Sequence, residues 1–373
     1  MTSELSSLCS YAKGKVSVDT LSKRNYVSTE NMLPNKGGIV DAGGLPSVQY
    51  VQQYIKGDIL VSNIRPYFKK IWMANEDGGC SNDVLVFRAA HGCDSTFLYY
   101  VLSNDAFFNY ASATSKGTKM PRGDKIAIMQ YEVPCFDHET QLRIGKLLRS
   151  IDARITVNKK INDNLQQQAA ALFSSLYDRS NTEVRFTDLI QILGGGTPKT
   201  GENTYWNGNI AFFTPKDVGI PYTLITEKTI SKEGLSHCNS RLYPVNTVFV
   251  TARGTVGKVG MSGVPMAMNQ SCYALVGKET HQLLVYFYTL KAVDRLKHKA
   301  SGAVFDAITT RDFESEQIMK LSDDDATAFL RVAEPMFQEV LNNNIENLRL
   351  STLRDSLLPK LMSGEIDVSA VQL

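Results

Sequence analysis

Residues 148–176, LRSIDARITVNKKINDNLQQQAAALFSSL, carry the periodic pattern that decides the fold. Apolar residues and two asparagines recur in this stretch at alternating intervals of three and four positions, which is the spacing of a coiled-coil seam. The seam consists of Leu148, Ile151, Ile155, Asn158, Asn162, Leu165, Ala169, Leu172 and Leu176. The sequence therefore predicts an amphipathic helix from about Ile144 to Tyr177, about 50 Å long at 1.5 Å per residue.

The same pattern recurs when the sequence is shifted by 185 positions. A second seam then runs from Met336 to Leu361 and is interrupted by Arg354. It stops near Pro359 and Gly364, which are residue types that end helices. A second long helix is therefore predicted at the end of the chain.

Positions outside the two seams also align under this shift. Asp137 falls on Ser322, and both are good N-cap residues. Asp325, three residues after Ser322, completes an acidic variant of the capping box. Residues 115–118 fall on 300–303. Because two lengths of 185 account for nearly all of the 373 residues, we predict that the chain is a duplicated half-protein.

Two asparagines interrupt each apolar seam at matching positions, Asn158 and Asn162 in the first and Asn343 and Asn347 in the second. Asparagine in a buried seam fixes register and partner choice and lowers stability. We expect the two helices to pair antiparallel, with the asparagines meeting near the centre of the repeat. The alternative is that each helix packs only on its own domain.

The segments before the two helices mix short β-rich runs with Gly and Pro turns. Strands are predicted at 59–64, 83–88, 186–193, 247–252 and 271–276, and helices at 97–110 and 281–299. The predicted fold class is α+β, with two α+β domains separated by two long antiparallel coiled-coil helices in a pseudo-twofold repeat. The predicted boundaries are 1–136 and 179–321 for the domains, 137–178 and 322–363 for the helices, and 364–373 for a tail.

The composition, 43% hydrophobic and 21% charged, is that of a soluble globular protein. The sequence shows neither a secretory signal nor an apolar run long enough to span a membrane. The six cysteines form no C-x-x-C pair, which favours reduced thiols in the cytoplasm over disulfides or a zinc site. The net charge of +2 combines two mildly basic domains with an acidic C-terminal segment from residue 322 onward. A polyanionic partner therefore stays possible.

The sequence predicts no catalytic site. Residues 194–200, GGGTPKT, lack the spacing of a phosphate-binding loop, and Pro198 removes a backbone donor. Residues 254–258 fail for the same reason, and residues 260–263 lack the spacing of a nucleophile elbow. The five histidines are scattered and form no metal-ligand set. We therefore expect no enzyme activity, no metal and no cofactor in this chain.

Basic and polar residues recur instead on Gly-rich loops beside aromatic residues. Arg and Lys suit phosphates and guanine edges, and Asn and Gln suit adenine edges. The alternative for each loop is that it is solvent-exposed and does not contact DNA. The aromatic pair Tyr205–Trp206 is interpreted as a packing anchor. The candidate DNA-binding residues of the first domain are Lys23, Arg24, Asn25, Arg65, Lys69, Lys70, Lys116, Lys119, Arg122 and Lys125. Those of the second are Thr197, Lys199, Thr214, Lys216, Arg253, Lys258, Lys297 and Lys299.

An ordered set of motifs extends over the whole chain. The first half contains 25–31 NYVSTEN, 57–66 GDILVSNIRP and 116–125 KGTKMPRGDK. The second half contains 195–198 GGTP, 205–208 YWNG, 253–257 RGTVG and 269–270 NQ, and the helices end in 171–173 ALF and 353–365 LRDSLLPKLMSGE. The set resembles the specificity subunit of type I restriction-modification systems.

The resemblance implies two target-recognition domains that each read one half of a bipartite site on double-stranded DNA. It also implies two methyltransferase subunits as partners, which methylate adenine N6, together with restriction subunits that act as motors. S-adenosylmethionine, ATP and Mg are then expected in those partners. Two other functions stay open: a stand-alone bipartite DNA-binding regulator, and a coiled-coil scaffold whose end domains bind protein. As spacers, the helices would set a gap of about one duplex turn between half-sites.

Overall fold

The computed structural model describes residues 2–219, 221–299 and 307–370, with Ala370 described by its backbone alone. The chain divides into two compact units, of which the first combines residues 1–155 with 349–373 and the second comprises 156–348. The aligned segment 300–303 lies outside the described residues. No helix of the described part is both long and apolar enough to cross a membrane.

Within its described residues, the first unit contains ten strands, three short α-helices and parts of two long helices. The strands are β1 Thr2–Glu4, β2 Cys9–Tyr11, β3 Lys15–Ser17, β4 Tyr26–Val27, β5 Tyr50–Tyr54, β6 Ile59–Ser62, β7 Ile71–Met73, β8 Gly78–Cys80, β9 Val84–Ala89 and β10 Glu132–Pro134. The helices are α1 Ser95–Ser103, α2 Asp105–Ala113, α3 Lys125–Met129 and the long α4 His138–Tyr177, of which residues 138–155 belong to this unit.

Two four-stranded sheets and one strand pair organise the first unit. One sheet has the order β2-β9-β6-β7 and the other β3-β5-β8-β4, while β1 pairs with β10. The strands β6 and β9 form the centre of the first sheet because their residues are almost all apolar and buried. Apolar residues of α1, α2 and the start of α4 cover this sheet, so the core lies between the sheet and the helices.

The second unit follows the same plan. Its strands are β11 Thr182–Arg185, β12 Ile190–Gly194, β13 Trp206–Phe213, β14 Tyr222–Thr223, β15 Lys228–Ile230, β16 Val248–Thr251, β17 Val259–Ser262, β18 Met266–Met268, β19 Cys272–Gly277 and β20 Gln317–Lys320. Its helices are α5 Phe186–Leu189, α6 Lys232–Ser236, α7 Gln282–Lys299, α8 Thr310–Glu314 and the long α9 Asp323–Ser363, of which residues 323–348 belong to this unit.

The main sheet and the strand pair of the second unit repeat those of the first. The order β12-β19-β16-β17 corresponds to β2-β9-β6-β7, with β14 added at the edge, and the pair β11–β20 corresponds to β1–β10. A third sheet has the order β15-β13-β18. Helix α7 is buried along most of its length against the main sheet. This shared strand order supports the prediction of a duplicated half-protein.

Both long helices exist, and both begin with the predicted caps. The backbone N–H of Thr140 donates to Asp137 Oδ1 across 2.7 Å, and that of Asp325 donates to Ser322 Oγ across 3.1 Å. At 40 and 41 residues, α4 and α9 are each about 60 Å long. Helix α4 therefore begins earlier than its seam alone indicated, because Asp137 satisfies its first backbone donors.

Tertiary packing explains where helix α9 ends, and two other predicted elements, the strand 186–193 and the helix 97–110, are wrong in detail. Helix α9 continues through Pro359 because Leu358 and Leu361 are buried in the apolar core of the first unit. It ends at Gly364, whose φ of 75° suits glycine in a helix-terminating position. The predicted strand 186–193 begins as helix α5, and the predicted helix 97–110 is broken at Asn104, whose side chain caps α2.

Candidate nucleic-acid interface

Two basic loops that are far apart in sequence meet in the first unit. The backbone N–H of Arg65 donates to the Pro121 carbonyl across 2.8 Å. The backbone of Arg122 forms isolated antiparallel β-bridges with Ile64 and with Lys116. Residues 65–70 and 116–125 are thereby joined into one surface, which we call the first loop surface. It contains Arg65, Lys69, Lys70, Lys116, Lys119, Arg122 and Lys125 from the sequence prediction.

The backbone of this surface is unusual. Four non-glycine residues of the first unit have positive φ, namely Asn35, Lys36, Arg65 and Lys69, with values from 50° to 61°. The N–H of Asn35 donates to Phe68 O and that of Lys36 donates to Lys69 O, each across 2.8 Å. Such left-handed residues persist only where their surroundings hold them, and they cluster at functional sites. Lys36 thus belongs to the surface, although no sequence pattern indicated it.

Several of its cations are held by carboxylates. Lys36 Nζ and Lys69 Nζ lie 2.9 and 2.8 Å from the two oxygens of Asp105. Burial opposes ionisation of Asp105, but these two lysines hold the pKa of its carboxyl below its usual value. Arg122 likewise lies 3.0 Å from Asp83. These ion pairs hold the lysine and Arg122 side chains in place before any ligand binds. They also neutralise part of the positive charge of the surface.

Two further cations of this surface have partners of their own. Lys116 Nζ lies 2.5 Å from Asp124 Oδ2, and Lys70 Nζ donates to the Thr29 carbonyl across 2.5 Å. The Lys116 ammonium, together with backbone N–H groups of Ala127 and Ile126, lowers the pKa of the Asp124 carboxyl. Lys119 and Lys125 have exposed side chains.

Large apolar side chains stand among these charges. Tyr67 and Phe68 are 52% and 39% exposed, with ring centroids 4.8 Å apart, and Met120 and Ile126 are 49% and 76% exposed. Apolar side chains on a basic surface suit contact with bases or with the thymine methyl group. Exposure of these four side chains is a property of the folded loops that the sequence pattern did not show.

The remaining candidates of the first unit serve the local turn. Asn25 Oδ1 accepts the Ser22 backbone N–H across 2.7 Å, so this amide closes a turn. Arg24 Nε lies 3.2 Å from Glu76 Oε1 on the surface. Lys23 is exposed, and its carbonyl accepts the Ala42 N–H. No hydrogen bond described for these three residues joins them to the first loop surface.

In the second unit, three loops meet at residues 269–271. The Asn269 N–H donates to Phe213 O across 2.9 Å, and the Arg253 N–H donates to Ser271 O across 3.2 Å. The Thr197 hydroxyl donates to the Gln270 side chain. Residues 195–199, 214–216, 253–258 and 269–271 form what we call the second loop surface. It collects Thr197, Lys199, Thr214, Lys216, Arg253 and Lys258.

Glycines allow this junction to close. A Cβ on Gly195 would overlap the Asn269 carbonyl oxygen, and one on Gly196 would lie 2.6 Å from Asn239 N. Gly195 and Gly196 are therefore required for close approach of two backbones. Asn269 and Gln270, which are part of the family motifs and were not predicted to bind DNA, lie at the centre of the surface.

The side chains of the second loop surface differ in freedom. Thr214 Oγ1 donates to Asp217 Oδ2 across 2.6 Å and so shapes its own loop. Lys216 lies 3.8 Å from Glu227, with both side chains largely exposed. Lys199, Arg253 and Lys258 are exposed. These last three cations are available to a ligand.

The aromatic pair beside this surface packs as the sequence interpretation states. The Tyr205 ring stacks on His237 with centroids 4.9 Å apart, and Trp206 meets Phe212 edge-on at 5.6 Å. The indole N–H of Trp206 donates to the Lys199 carbonyl across 3.1 Å. Trp206 therefore positions the loop that carries Lys199.

The two lysines at the end of α7 have structural contacts. Glu316 is fully buried, and its oxygens lie 2.5 Å from Lys299 Nζ and 3.0 Å from Arg295 Nε. Removing one cation would leave a buried charge poorly compensated. A Cβ on Gly257 would lie 2.5 Å from Lys297 Cε, so the lysine stem covers that turn. Lys299 thus anchors the helix end.

The seam asparagines meet within the second unit. Asn343 Nδ2 donates to Asn162 Oδ1 across 2.9 Å, and Asn158 Nδ2 donates to Asn347 Oδ1 across 3.0 Å. Asn158, Asn162 and Asn343 are at most 4% exposed. Helices α4 and α9 therefore pair antiparallel at these positions. The alternative that each helix packs only on its own domain is excluded there.

Titratable groups give no sign of a metal centre in the described ranges. No group of three or more His, Cys, Asp or Glu side chains there could hold a metal ion. The six cysteines are free thiols, and burial raises the pKa of Cys9, Cys80 and Cys272 to about 12. Those thiols stay protonated and unreactive near neutral pH.

Comparisons with known proteins define the class of the chain. Its sequence matches the family "Type I restriction modification DNA specificity domain" over residues 1–167 and 179–320. It is 24% identical to the HindI specificity subunit of Haemophilus influenzae, over 91% of this chain and 94% of that protein. It is 28% identical to the EcoR124I/EcoR124II specificity subunit of Escherichia coli, over 42% of each chain.

A solved structure supports the fold. The type I restriction-modification S subunit from M. genitalium matches with a TM-score of 0.64 and 16% identity, covering 97% of this chain and 96% of that one. The chain belongs to the family of type I restriction-modification DNA specificity subunits, in two copies of the family domain. Its role is therefore DNA sequence specificity, and its fold is of mixed helix and sheet.

Proposed function

We propose that the chain reads a bipartite site on double-stranded DNA, one half with each loop surface. The observation that carries this proposal is the repetition itself: two units of matching strand order each gather separate loops into one polar, basic surface. A protein with two similar readers suits two half-sites in the way that a symmetric dimer suits a palindrome. We propose that residues 1–136 and 179–321 are the two target-recognition domains, that 137–178 and 322–363 are the spacer helices, and that 364–373 form a tail.

The two surfaces would contact DNA by different chemistry. On the first, Lys119, Lys125 and the carboxylate-held Lys69 suit phosphates, and Tyr67 and Phe68 suit base contact. On the second, Gln270 and Asn269 offer amides for adenine edges, and Arg253 suits guanine. We expect the phosphate contacts to position each unit and the few base contacts to specify the sequence.

The chain would leave catalysis to its partners. Two methyltransferase subunits, carrying S-adenosylmethionine, would methylate adenine, and restriction subunits would use ATP and Mg. Exposed apolar residues on the long helices support docking of such subunits: Leu142, Val157, Ile161, Val332 and Leu353 are 39–47% exposed. Among them, Val157 and Ile161 lie four positions apart on one face of α4, and adjacent exposed apolar side chains of this kind mark protein contacts.

Reconstitution tests this proposal. The purified chain is combined with a type I methyltransferase subunit, and methylation is mapped on genomic DNA. The proposal expects methylation at one bipartite sequence, and expects none when the chain is omitted. Stable binding of the chain to DNA at full affinity, with no association with the methyltransferase, would instead make it a stand-alone DNA-binding protein.

A further inference from the structure

The loop junctions of the two units are built by matching hydrogen bonds. In the second unit, the Asn269 N–H donates to Phe213 O across 2.9 Å. In the first unit, the Ser81 N–H donates to Val27 O across 2.9 Å. Each donor directly follows a strand that lies parallel to the strand of its acceptor, β18 beside β13 and β8 beside β4. Ser81 therefore occupies the position of Asn269 in the repeat.

The residue that follows each donor carries a side-chain amide. Gln270 follows Asn269 and lies at the centre of the second loop surface, where its amide suits an adenine edge. Asn82 follows Ser81 in the first unit, and its side chain is exposed. The same chemical group thus stands at the same position in both units, although Asn82 lies outside the first loop surface.

The strand that leads into the junction also corresponds. Strand β2 pairs antiparallel with β9 in the first unit, as β12 pairs with β19 in the second. The pairs whose β9 and β19 members follow the two donors by six positions are Tyr11–Phe87 and Ile192–Leu275. Gly14 lies three residues after Tyr11, and Gly195 lies three residues after Ile192. Gly14 is therefore the counterpart of Gly195.

The residues beside these two glycines differ in charge. Gly14 is flanked by Lys13 and Lys15, whereas both neighbours of Gly195 are glycines. The side chains of Lys13 and Lys15 are exposed, and in the described part of the chain neither forms an ion pair with a carboxylate. The first unit thus has two free cations where the second unit has backbone alone.

Lys13, Lys15 and Asn82 line one cleft of the first unit, which has a volume of about 380 Å³ and which we call the lysine cleft. Lys125 of the first loop surface lines it too, so the cleft continues that surface. The Tyr11 hydroxyl donates to the Lys125 carbonyl across 2.9 Å and connects the two. Of the described residues that line the cleft, none is acidic. Its three lysine charges are therefore not neutralised by its own lining.

We propose that the lysine cleft is part of the DNA-binding surface of the first unit, with Lys13 and Lys15 on phosphates and Asn82 on a base. This inference rests on the function proposed above and names a base-reading residue for the first half-site. Lysine binds phosphates without regard to sequence, whereas an amide matches the N6 and N7 edge of adenine. The second unit keeps the amide and has glycines in place of the lysines, so the two units hold DNA differently at equivalent positions.

The test for Asn82 maps methylation by the full chain combined with a type I methyltransferase subunit. Asn82→Ala removes the amide and should relax one base position in one half-site. Asn82→Asp loses only the N–H donor and should alter the same position. The matched control is Asn75→Ala, which removes an exposed amide beyond the other end of β7 and should leave the methylated sequence unchanged. An unchanged sequence with both Asn82 variants overturns the base contact.

A variant of the second unit separates this inference from the proposed function. Arg253→Ala with Gln270→Ala is mapped in the same assay. If it relaxes one half-site while the Asn82 variants change nothing, the base contact of Asn82 is refuted and the bipartite reading stands. If neither set of variants changes the methylated sequence, both are refuted. Relaxation of different half-sites by the two sets supports both.

The test for the two lysines measures affinity. The double variant Lys13→Ala with Lys15→Ala, in complex with the methyltransferase subunit, should bind the mapped duplex and an unrelated duplex at least tenfold more weakly. The slope of log affinity against log salt should become shallower by about two. Lys56→Ala, an exposed lysine that does not line the cleft, is the control. Fluorescence anisotropy measures the binding. An affinity and a salt slope equal to those of the control overturn the phosphate contacts.

Discussion

Asn343 donates its side-chain amide to Asn162 Oδ1 across 2.9 Å, and both side chains are 4% exposed. The two residues are 181 positions apart in sequence, yet each occupies a seam position of its own helix. Their hydrogen bond fixes the register in which α4 and α9 pair within the second unit. A buried amide is stable only where the facing residue completes its hydrogen bond, so any other register of the two helices is less stable.

Replacing one asparagine of this pair should lower the free energy of unfolding more than replacing both. Asn343→Leu leaves Asn162 Oδ1 buried without this donor, and the free energy of unfolding should fall by about 1–3 kcal/mol. The double change Asn162→Leu with Asn343→Leu should recover most of that loss, because two apolar side chains then face each other. Urea unfolding followed by circular dichroism measures both. Equal losses in the single and the double variant would contradict the assigned hydrogen bond.

The second loop surface depends on a glycine. Gly195→Ala should weaken DNA binding at least tenfold, since the new methyl group would overlap the Asn269 carbonyl and push its loop away from the loop that carries Gln270. The control is Gly201→Ala, where no atom lies within 4 Å of the added group. Fluorescence anisotropy with a duplex containing the mapped site measures the effect. Equal affinities for the two variants would remove this surface from the DNA contact.

Lys119 tests the first loop surface. Its exposed side chain suits a phosphate, so Lys119→Ala should weaken binding to specific and unrelated duplexes alike. The slope of log affinity against log salt should become shallower by about one. Lys56→Ala, another exposed lysine of the first unit that lies outside the loop surface, is the control. A changed recognition sequence would show instead that Lys119 reads bases.

The proposal that the long helices set the gap between half-sites makes a separate prediction. Removing one heptad from each helix shortens it by about 10 Å, which corresponds to about three base pairs at about 3.4 Å each. Mapping of methylated sites should then give the same two half-sites with a shorter gap. The same gap in the shortened chain would refute this function of the helices.

The long helices and the repeat could be predicted because their signals are local and periodic. The seam from Leu148 to Leu176 needs only a count of intervals, and the asparagine pairing follows from the match of two such counts. By contrast, Phe186–Leu189 is helical in a run that reads as a strand, since four residues are too few to show a period. Tertiary packing likewise carries α9 through Pro359.

Less of the candidate site than of the fold could be predicted from the sequence. Lists of basic loops cannot show that residues near 65 and near 122 form one surface, because that depends on backbone hydrogen bonds over long separations. Lys299 illustrates the opposite limit: it looks like a free cation in sequence, but the buried Glu316 holds it. The positions of Lys36 and Gln270 on the two loop surfaces could be seen only in the folded structure.

The central claim is that each loop surface reads one half of the site. Its most direct test is methylome mapping with a type I methyltransferase subunit, comparing the unchanged chain with a variant carrying Arg253→Ala and Gln270→Ala. The account predicts that one half-site relaxes while the other half-site and the gap stay the same. Relaxation of both halves together, or a methylated site that is a single uninterrupted sequence, would contradict it.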